Sequence, residues 1–233
     1  MEAFFDEEFL ETMFLTFKLS FITTIILLPI GIALAYFLYA SASRFSTMLE
    51  ALIWMPLVLP PSVLGFYLLI TFSKNNFLGK FLLENFNFQV TFTFSGLVIA
   101  SVIFSLPFMT NPIKNGICAL PNSLKEASYT LGKGKLYTLF FVLLPNVKSA
   151  ILLGCVTSFA HTIGEFGVVM MIGGSRAGET KVASIAIYEE VQSLNYTLAH
   201  QYALCLFLVS FVSLCVIFYI TRKYFDKKVT NII

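Results

Sequence analysis

His161 and Glu165 lie four residues apart in an apolar run that also holds Ser158 and Thr162. That spacing puts the imidazole and the carboxylate on one face of a helix. An ionisable group at membrane depth is costly, so both should face a bundle interior or water rather than lipid. Two roles fit: a pair that neutralises itself and fixes helix packing, or a pair lining a translocation path. Other chemistry is poorly served. No Gly-x4-Gly-Lys-Ser/Thr phosphate loop occurs, and Gly132-Lys133-Gly134-Lys135 is too short for one, so nucleotide hydrolysis is not expected on this chain. A hydrolase needs a nucleophile, a base and oxyanion donors together, and the run supplies only isolated candidates. Cys118, Cys155, Cys205 and Cys215 show no CxxC spacing and read as small packing hydrophobes, with no metal site.

The elements that must position these groups are membrane helices. Of 233 residues, 58% are hydrophobic and 12% charged, and mean hydropathy is +0.84. Soluble domains carry about 25% charge, so an all-α integral membrane protein is expected. A disordered chain, a collagen-like fibre and a disulfide scaffold are excluded by the same composition. The net charge of +2 gives no reason to expect nucleic acid. Runs of spanning length cover Met13–Tyr39, Leu52–Phe72, Phe92–Pro112, Ser149–Ile172 and Tyr202–Ile220. The first is acidic in front and too long for a signal peptide, so it reads as a retained helix. Val182–Val191 is too short to span and reads as an interfacial or re-entrant helix.

Arg44, Lys114, Lys125, Lys133, Lys135, Lys148, Arg222, Lys223, Lys227 and Lys228 fall on one side of five such spans. The other side has Lys74, Lys80, Arg176, Lys181 and an N-terminal tail with Glu2, Asp6, Glu7, Glu8 and Glu11. The tail is therefore expected outside and the C-terminus in the cytoplasm. Lys18, within the first run, either snorkels to the outer interface or pairs with another helix. Pro29, Pro56, Pro60, Pro61, Pro107 and Pro112 all lie inside the runs. Each removes a donor and frees a carbonyl, so three broken helices packed around a path are expected. The expected divisions are an acidic tail at 1–12, a membrane domain at 13–222 and a short basic tail at 223–233.

Ser123 followed by Glu126 is a capping box, so a short helix is expected to start there and to end near Gly132. Two turns are too few to stand alone, so the membrane domain or a partner must hold them. Ala127 and Ser128 are small enough to let another surface approach closely.

Glu126-Ala127-Ser128, three residues, Gly132, nine residues, Val142, one residue and Leu144-Pro145 resembles the EAA loop of permease subunits of ABC importers. Pro56-Leu57-Val58-Leu59-Pro60-Pro61, Gly164-Glu165-Phe166-Gly167, Gly173-Gly174 and Gly178-Glu179-Thr180 are similar to molybdate permeases of the ModB type; sulfate and tungstate permeases share much of this pattern. Where such proteins often read Gly-Asn-Ile-Pro-Gly, this chain has Gly174-Ser175-Arg176-Ala177-Gly178, so the turn has lost its proline and gained a base. The resemblance implies a type I importer membrane domain in the inner (plasma) membrane that moves an oxyanion, most readily molybdate, by alternating access. It implies that 121–145 is the loop through which Glu126, Ala127, Ser128 and Gly132 couple to a cytoplasmic ATPase. It further implies a homodimer, two ATPase copies carrying the ATP and Mg, and an extracytoplasmic oxyanion-binding protein. The rival is an ATP-independent secondary transporter, which would need inverted repeats or several intramembrane charges.

Overall fold

The computed structural model describes the backbone of residues 6–230 and the side chains of 6–219. Glu2 of the acidic tail and the side chains of Arg222, Lys223, Lys227 and Lys228 lie outside the described residues. Twelve α-helices and one π-turn are formed among the described residues: α1 (Glu7–Ala40), α2 (Arg44–Val58), α3 (Pro61–Phe72), α4 (Phe77–Phe86), α5 (Phe94–Cys118), α6 (Asn122–Thr130), α7 (Lys135–Thr138), the π-turn (Leu139–Leu143), α8 (Leu144–Asn146), α9 (Lys148–Ile163), α10 (Gly167–Gly173), α11 (Ala183–Gln192) and α12 (Tyr196–Thr230). Three of them, α1, α5 and α12, are long and apolar enough to cross a membrane alone. Two bent pairs raise the count to five if each is one span: α2 with α3, bent by 114°, and Lys135–Asn146 with α9, bent by 78°.

The expected boundaries shift for local reasons. Asp6 accepts from the Phe9 amide at 2.7 Å and so caps α1, which absorbs the acids Glu7, Glu8 and Glu11 into its first turns. Negative charge there is favoured by the helix dipole. At the other end α12 continues past Arg222 to Thr230, so the expected basic tail is largely helical. The fourth run does not hold as one helix to Ile172; it ends at Ile163, and α10 starts after Gly164-Glu165-Phe166.

Only one of the three expected proline breaks occurs. Pro60 and Pro61 end α2 and start α3, with Pro61 at the first helical position where its missing N–H costs nothing. Pro29 sits within an unbroken α1, and Pro107 and Pro112 within an unbroken α5. At Pro112 the helix continues, and the carbonyl freed four residues earlier, Phe108 O, lies 3.1 Å from the Thr157 hydroxyl of α9, which it shares with Leu153 O at 2.7 Å.

Helices α1, α5 and α9 pack through small residues around Met109, which is fully buried. A side chain at Gly31 of α1 would strike the Met109 side chain, and one at Gly154 of α9 would lie 3.1 Å from its carbonyl oxygen and its sulfur. Such close approach is how membrane helices gain contact where no hydrophobic drive exists between them. The same device joins α3 to α10: a Cβ at Gly65 would lie 2.8 Å from Met171, and one at Gly167 2.8 Å from Pro61. Three apolar clusters fill the bundle, one around Leu19, Leu97, Val168 and Ile172, another around Leu27, Met109, Ile113 and Leu143, and a third around Met13, Ala183, Ala186 and Tyr202.

Where α1 begins, the connections are clasped by polar contacts. Lys181 meets Glu8 at 2.9 Å and Glu189 at 3.2 Å, and the Ala183 amide donates to the Thr16 hydroxyl at 2.8 Å. Arg176 donates to the Phe92 carbonyl at 2.7 Å and pairs with Glu179 at 2.8 Å. The base that this turn has gained, Arg176, thus ties Gly174–Gly178 to the strained Phe92, whose φ is +60°. Lys18 rests over the ring of Phe94, the first residue of α5, with 4.8 Å from ammonium to centroid.

Burial alone would lower the Lys181 ammonium, but the Glu8 and Glu189 carboxylates outweigh it and hold it above the ordinary lysine value. A raised value means the clasp stabilises fully below the ordinary lysine range and is lost as pH climbs through the raised value. Lys181→Gln should therefore lower the melting temperature at pH 7 and flatten its fall between pH 9 and 11, measured by thermal unfolding in detergent. A second test is a double-mutant cycle. Thr157→Val leaves Phe108 O unpaired and should cost about 1 kcal/mol, whereas in a Pro112→Ala background, which restores the helical donor, it should cost clearly less.

Candidate functional site

Two sets of sequence-selected residues occupy two places in the bundle. The first is a polar seam between α5 and α9. Ser105 of α5 lies 3.0 Å from His161 Nδ1 and 3.0 Å from the Thr162 hydroxyl, and Thr162 donates to the Ser158 carbonyl at 2.9 Å. Each hydroxyl has one hydrogen, so the chain has one consistent direction: His161 Nδ1–H to Ser105, Ser105 to Thr162, Thr162 to Ser158 O. The Phe108 ring stacks on the imidazole at 4.0 Å, and Phe104 tilts against it at 4.9 Å.

Ser158, Thr162 and Glu165 are buried within the chain, and His161 is half-buried. The expected pairing of His161 with Glu165 does not form. Because α9 stops at Ile163, the four-residue spacing no longer places the two groups on one helical face, and the imidazole turns to Ser105 instead. Glu165 sits in the break, its backbone carbonyl accepting the Ser184 hydroxyl of α11 at 2.6 Å. Its side-chain oxygens have no hydrogen-bond partner, nor do the buried hydroxyls of Ser101 and Ser158.

The second place is the connection from α5 to α9. The capping box at Ser123 and Glu126 does not form: Pro121, with extended backbone, takes the cap position, Ser123 falls inside α6, and no side chain caps the helix. Its far end matches expectation. Gly132 has φ +72°, its amide bonds to Tyr129 O at 2.9 Å and the Lys133 amide to Ser128 O at 3.1 Å, which is a Schellman closure. Nothing would crowd a side chain at Gly132, so the backbone conformation alone requires glycine there.

Glu126 and Ala127 are exposed, while Ser128 is turned inward and bonds the Thr138 hydroxyl of α7 at 2.8 Å. Lys125 lies over the Tyr39 ring at 5.3 Å, and Tyr129 meets Tyr36, both tyrosines standing in the last turns of α1. Of the two supports considered for this short helix, the chain's own membrane domain provides one. Tyr36, Tyr39 and Thr138 were not marked in the sequence; no motif distinguishes a docking tyrosine from the many aromatics of a membrane helix. After α7 the chain makes a π-turn, with the Leu144 amide reaching Leu139 O, and Pro145 follows directly. Asn146 then donates its side-chain amide to Val142 O at 2.7 Å. Near the same end Lys114 of α5 pairs with Glu50 of α2.

An apolar cleft of about 340 Å³ opens between α1, α9 and α12, lined by Phe21, Ile25, Cys155, Phe159, Val212 and Val216 among others. Its hydroxyls are spent on their own helices, Thr24 on Ser20 O and Ser213 on Val209 O, so it offers an anion no donor. Among the described residues no three His, Cys, Asp or Glu side chains converge on a metal-binding geometry.

Comparison with known proteins agrees with this architecture. A family model described as binding-protein-dependent transport system inner membrane component matches residues 20–231. The molybdenum transport system permease protein ModB of Azotobacter vinelandii is 38% identical over 210 residues, covering 90% of this chain and 92% of that protein. The sulfate transport system permease protein CysT of Salmonella typhimurium is 33% identical over 184 residues, covering 79% of this chain and 66% of that protein. In fold, a chain of a bacterial alginate ABC transporter, crystallised with a periplasmic protein bound to alginate pentasaccharide, superposes with TM-score 0.73 at 18% identity, covering 94% of this chain and 80% of that one. An all-helical, multi-pass chain whose relatives are membrane permeases over nearly its whole length is itself such a subunit: it belongs to the binding-protein-dependent transport system inner membrane component family.

Proposed function

We propose that this chain is the permease subunit of an ATP-driven importer of molybdate, with tungstate or sulfate as the alternative cargo. The observation that carries the reading is α6: a two-turn helix that exposes Glu126 and Ala127 while Lys125, Ser128 and Tyr129 fasten it to its own bundle. A short helix held from behind and bare in front is suited to transmit motion from an outside motor. The likeness of the chain to molybdenum permeases over nine-tenths of its length supports the cargo.

In this reading the end carrying α6 and the basic residues faces the cytoplasm, following the excess of Lys and Arg there. Two copies of the chain form the path at a twofold axis, each presenting one α6 to one copy of a cytoplasmic ATPase that holds the ATP and Mg. An extracytoplasmic oxyanion-binding protein delivers the anion at the opposite end, where Lys18, Arg176 and Lys181 lie. Closure of the ATPase pair draws the two α6 helices together, the outer side opens, and hydrolysis resets the machine. Ser158, His161, Thr162 and Glu165 belong to the wall of the path, closed inside the protomer in the arrangement described here. A carboxylate exposed to that path would repel each unit of anionic charge by about 4 kcal/mol at 4 Å and an effective dielectric of 20. The path is thus built to pass the anion, and selection is left to the binding protein.

The test is reconstitution of the chain with its ATPase and binding protein in proteoliposomes, with uptake of molybdate, tungstate and sulfate measured against ATP turnover. Molybdate accumulation that requires ATP and the binding protein is expected; uptake by the lone chain without ATP would favour the secondary transporter. Glu126→Lys should release the ATPase on co-purification and cut ATP-driven uptake at least tenfold, while thermal unfolding of the permease is unchanged. Gly132→Val forces a branched side chain into left-handed backbone and should cost about 1–2 kcal/mol locally, with uptake falling further than ATPase binding.

A further inference from the structure

Glu165 is 4% exposed, and neither carboxyl oxygen has a hydrogen-bond partner. The cations nearest in the chain are engaged elsewhere: Lys181 with Glu8 and Glu189, Arg176 with Glu179. Beside the carboxyl is the Ser101 hydroxyl of α5, itself fully buried, while the Ser184 hydroxyl of α11 is spent on the backbone Glu165 O. The titratable neighbours are His161, bonded to Ser105 one turn back on α9, and Tyr188 of α11, whose ring lies against Phe166.

Glu165 lies between the C-terminal end of α9 and the N-terminal end of α10, whose dipoles oppose one another in the break, so the helix ends give the carboxyl no clear counter-charge. Interrupted membrane helices that bring free carbonyls and a carboxylate together are suited to small cations. One carboxylate balances one positive charge, and with no second acid in the seam a divalent ion would be left uncompensated. Oxygen donors alone do not suit a transition metal, and no cluster of three metal-ligating side chains exists among the described residues.

We propose that the break between α9 and α10 is a monovalent-cation site, with the Glu165 carboxylate as its charged ligand and the Ser101 hydroxyl in support. The shared chemistry admits two occupants, sodium and a proton. Occupancy favours the packed arrangement described here, and its loss favours one in which Glu165 reaches water, so cation and conformation are linked. This inference stands apart from the identity of the transported anion.

The test is the melting temperature of the full chain in lipid nanodiscs, in sodium chloride and in choline chloride of equal ionic strength, at pH 6, 7.5 and 9. For sodium, a rise of several degrees over choline is expected at pH 9; for a proton, a rise of several degrees from pH 9 to pH 6 in either salt. Glu165→Gln, close in shape and uncharged, should abolish whichever response the natural chain shows, and His161→Gln should keep it. If Glu165→Gln does not fold, Ser101→Ala takes its place and should weaken the response. A natural chain indifferent to both sodium and pH overturns the proposal. So does a response that survives in Glu165→Gln, is unchanged in Ser101→Ala, or disappears with His161.

Discussion

In hydrocarbon a backbone N–H or C=O that leaves its helix has no water to turn to, and the whole arrangement of this chain follows from where such groups find partners. Several of the interruptions described above have a substitute. Thr157 reaches Phe108 O behind Pro112, Asn146 reaches Val142 O after the π-turn, and Thr180 reaches Gly173 O at 2.9 Å past the end of α10. Ser184 closes on Glu165 O in the break, and Thr16 receives the Ala183 amide at the start of α11. The donors and acceptors are the hydroxyls and amides of short polar side chains, which explains why so many Ser and Thr are buried in an otherwise apolar bundle.

Those same substitutions decide the packing. A broken helix such as α10 can settle into the bundle only if its neighbours come close, and the glycines at 65 and 167 let α3 and α10 touch backbone to side chain. Around Met109 the glycines at 31 and 154 do the same for α1 and α9. The result is a core divided into three apolar clusters, with the polar residues of α5 and α9 gathered in one internal seam. Within that seam Ser101 and Ser158 share with Glu165 the lack of a side-chain partner, and Glu165 is the acid among them.

Much of this was legible in the residues themselves. Apolar run length located the long helices α1, α5 and α12, because a run of about twenty apolar residues crossing hydrocarbon can satisfy its own backbone only as a helix. Gly132 announced the end of α6, since only glycine takes that backbone conformation freely. Spacing failed where tertiary partners decide. Pro112 looked like a break, and the hydroxyl that meets its freed carbonyl lies 45 residues further along the chain, in Thr157. His161 and Glu165 looked like a pair on a helix that, in the fold, stops between them at a glycine. Ser123 and Glu126 looked like a cap, but the fixed backbone of Pro121 starts the helix earlier. The tyrosines that hold α6 carry no local signal, because one aromatic on a membrane helix resembles the next until the fold brings its partner.

Seen together, these contacts make α6 and the last turns of α1 a single piece. Lys125 on Tyr39, Tyr129 against Tyr36, and Ser128 tied through Thr138 to the segment leading into α9 give any push on α6 two routes into the bundle. The most direct measurement of that claim is the distance between spin labels at Ala127 and Ala40, taken by electron double resonance with the ATPase in its nucleotide-free and ATP-bound states. The account predicts one distance distribution in both states, because helix and lever move as a unit. A distribution that shifts or broadens on ATP binding would mean that α6 slides on the bundle instead of driving it.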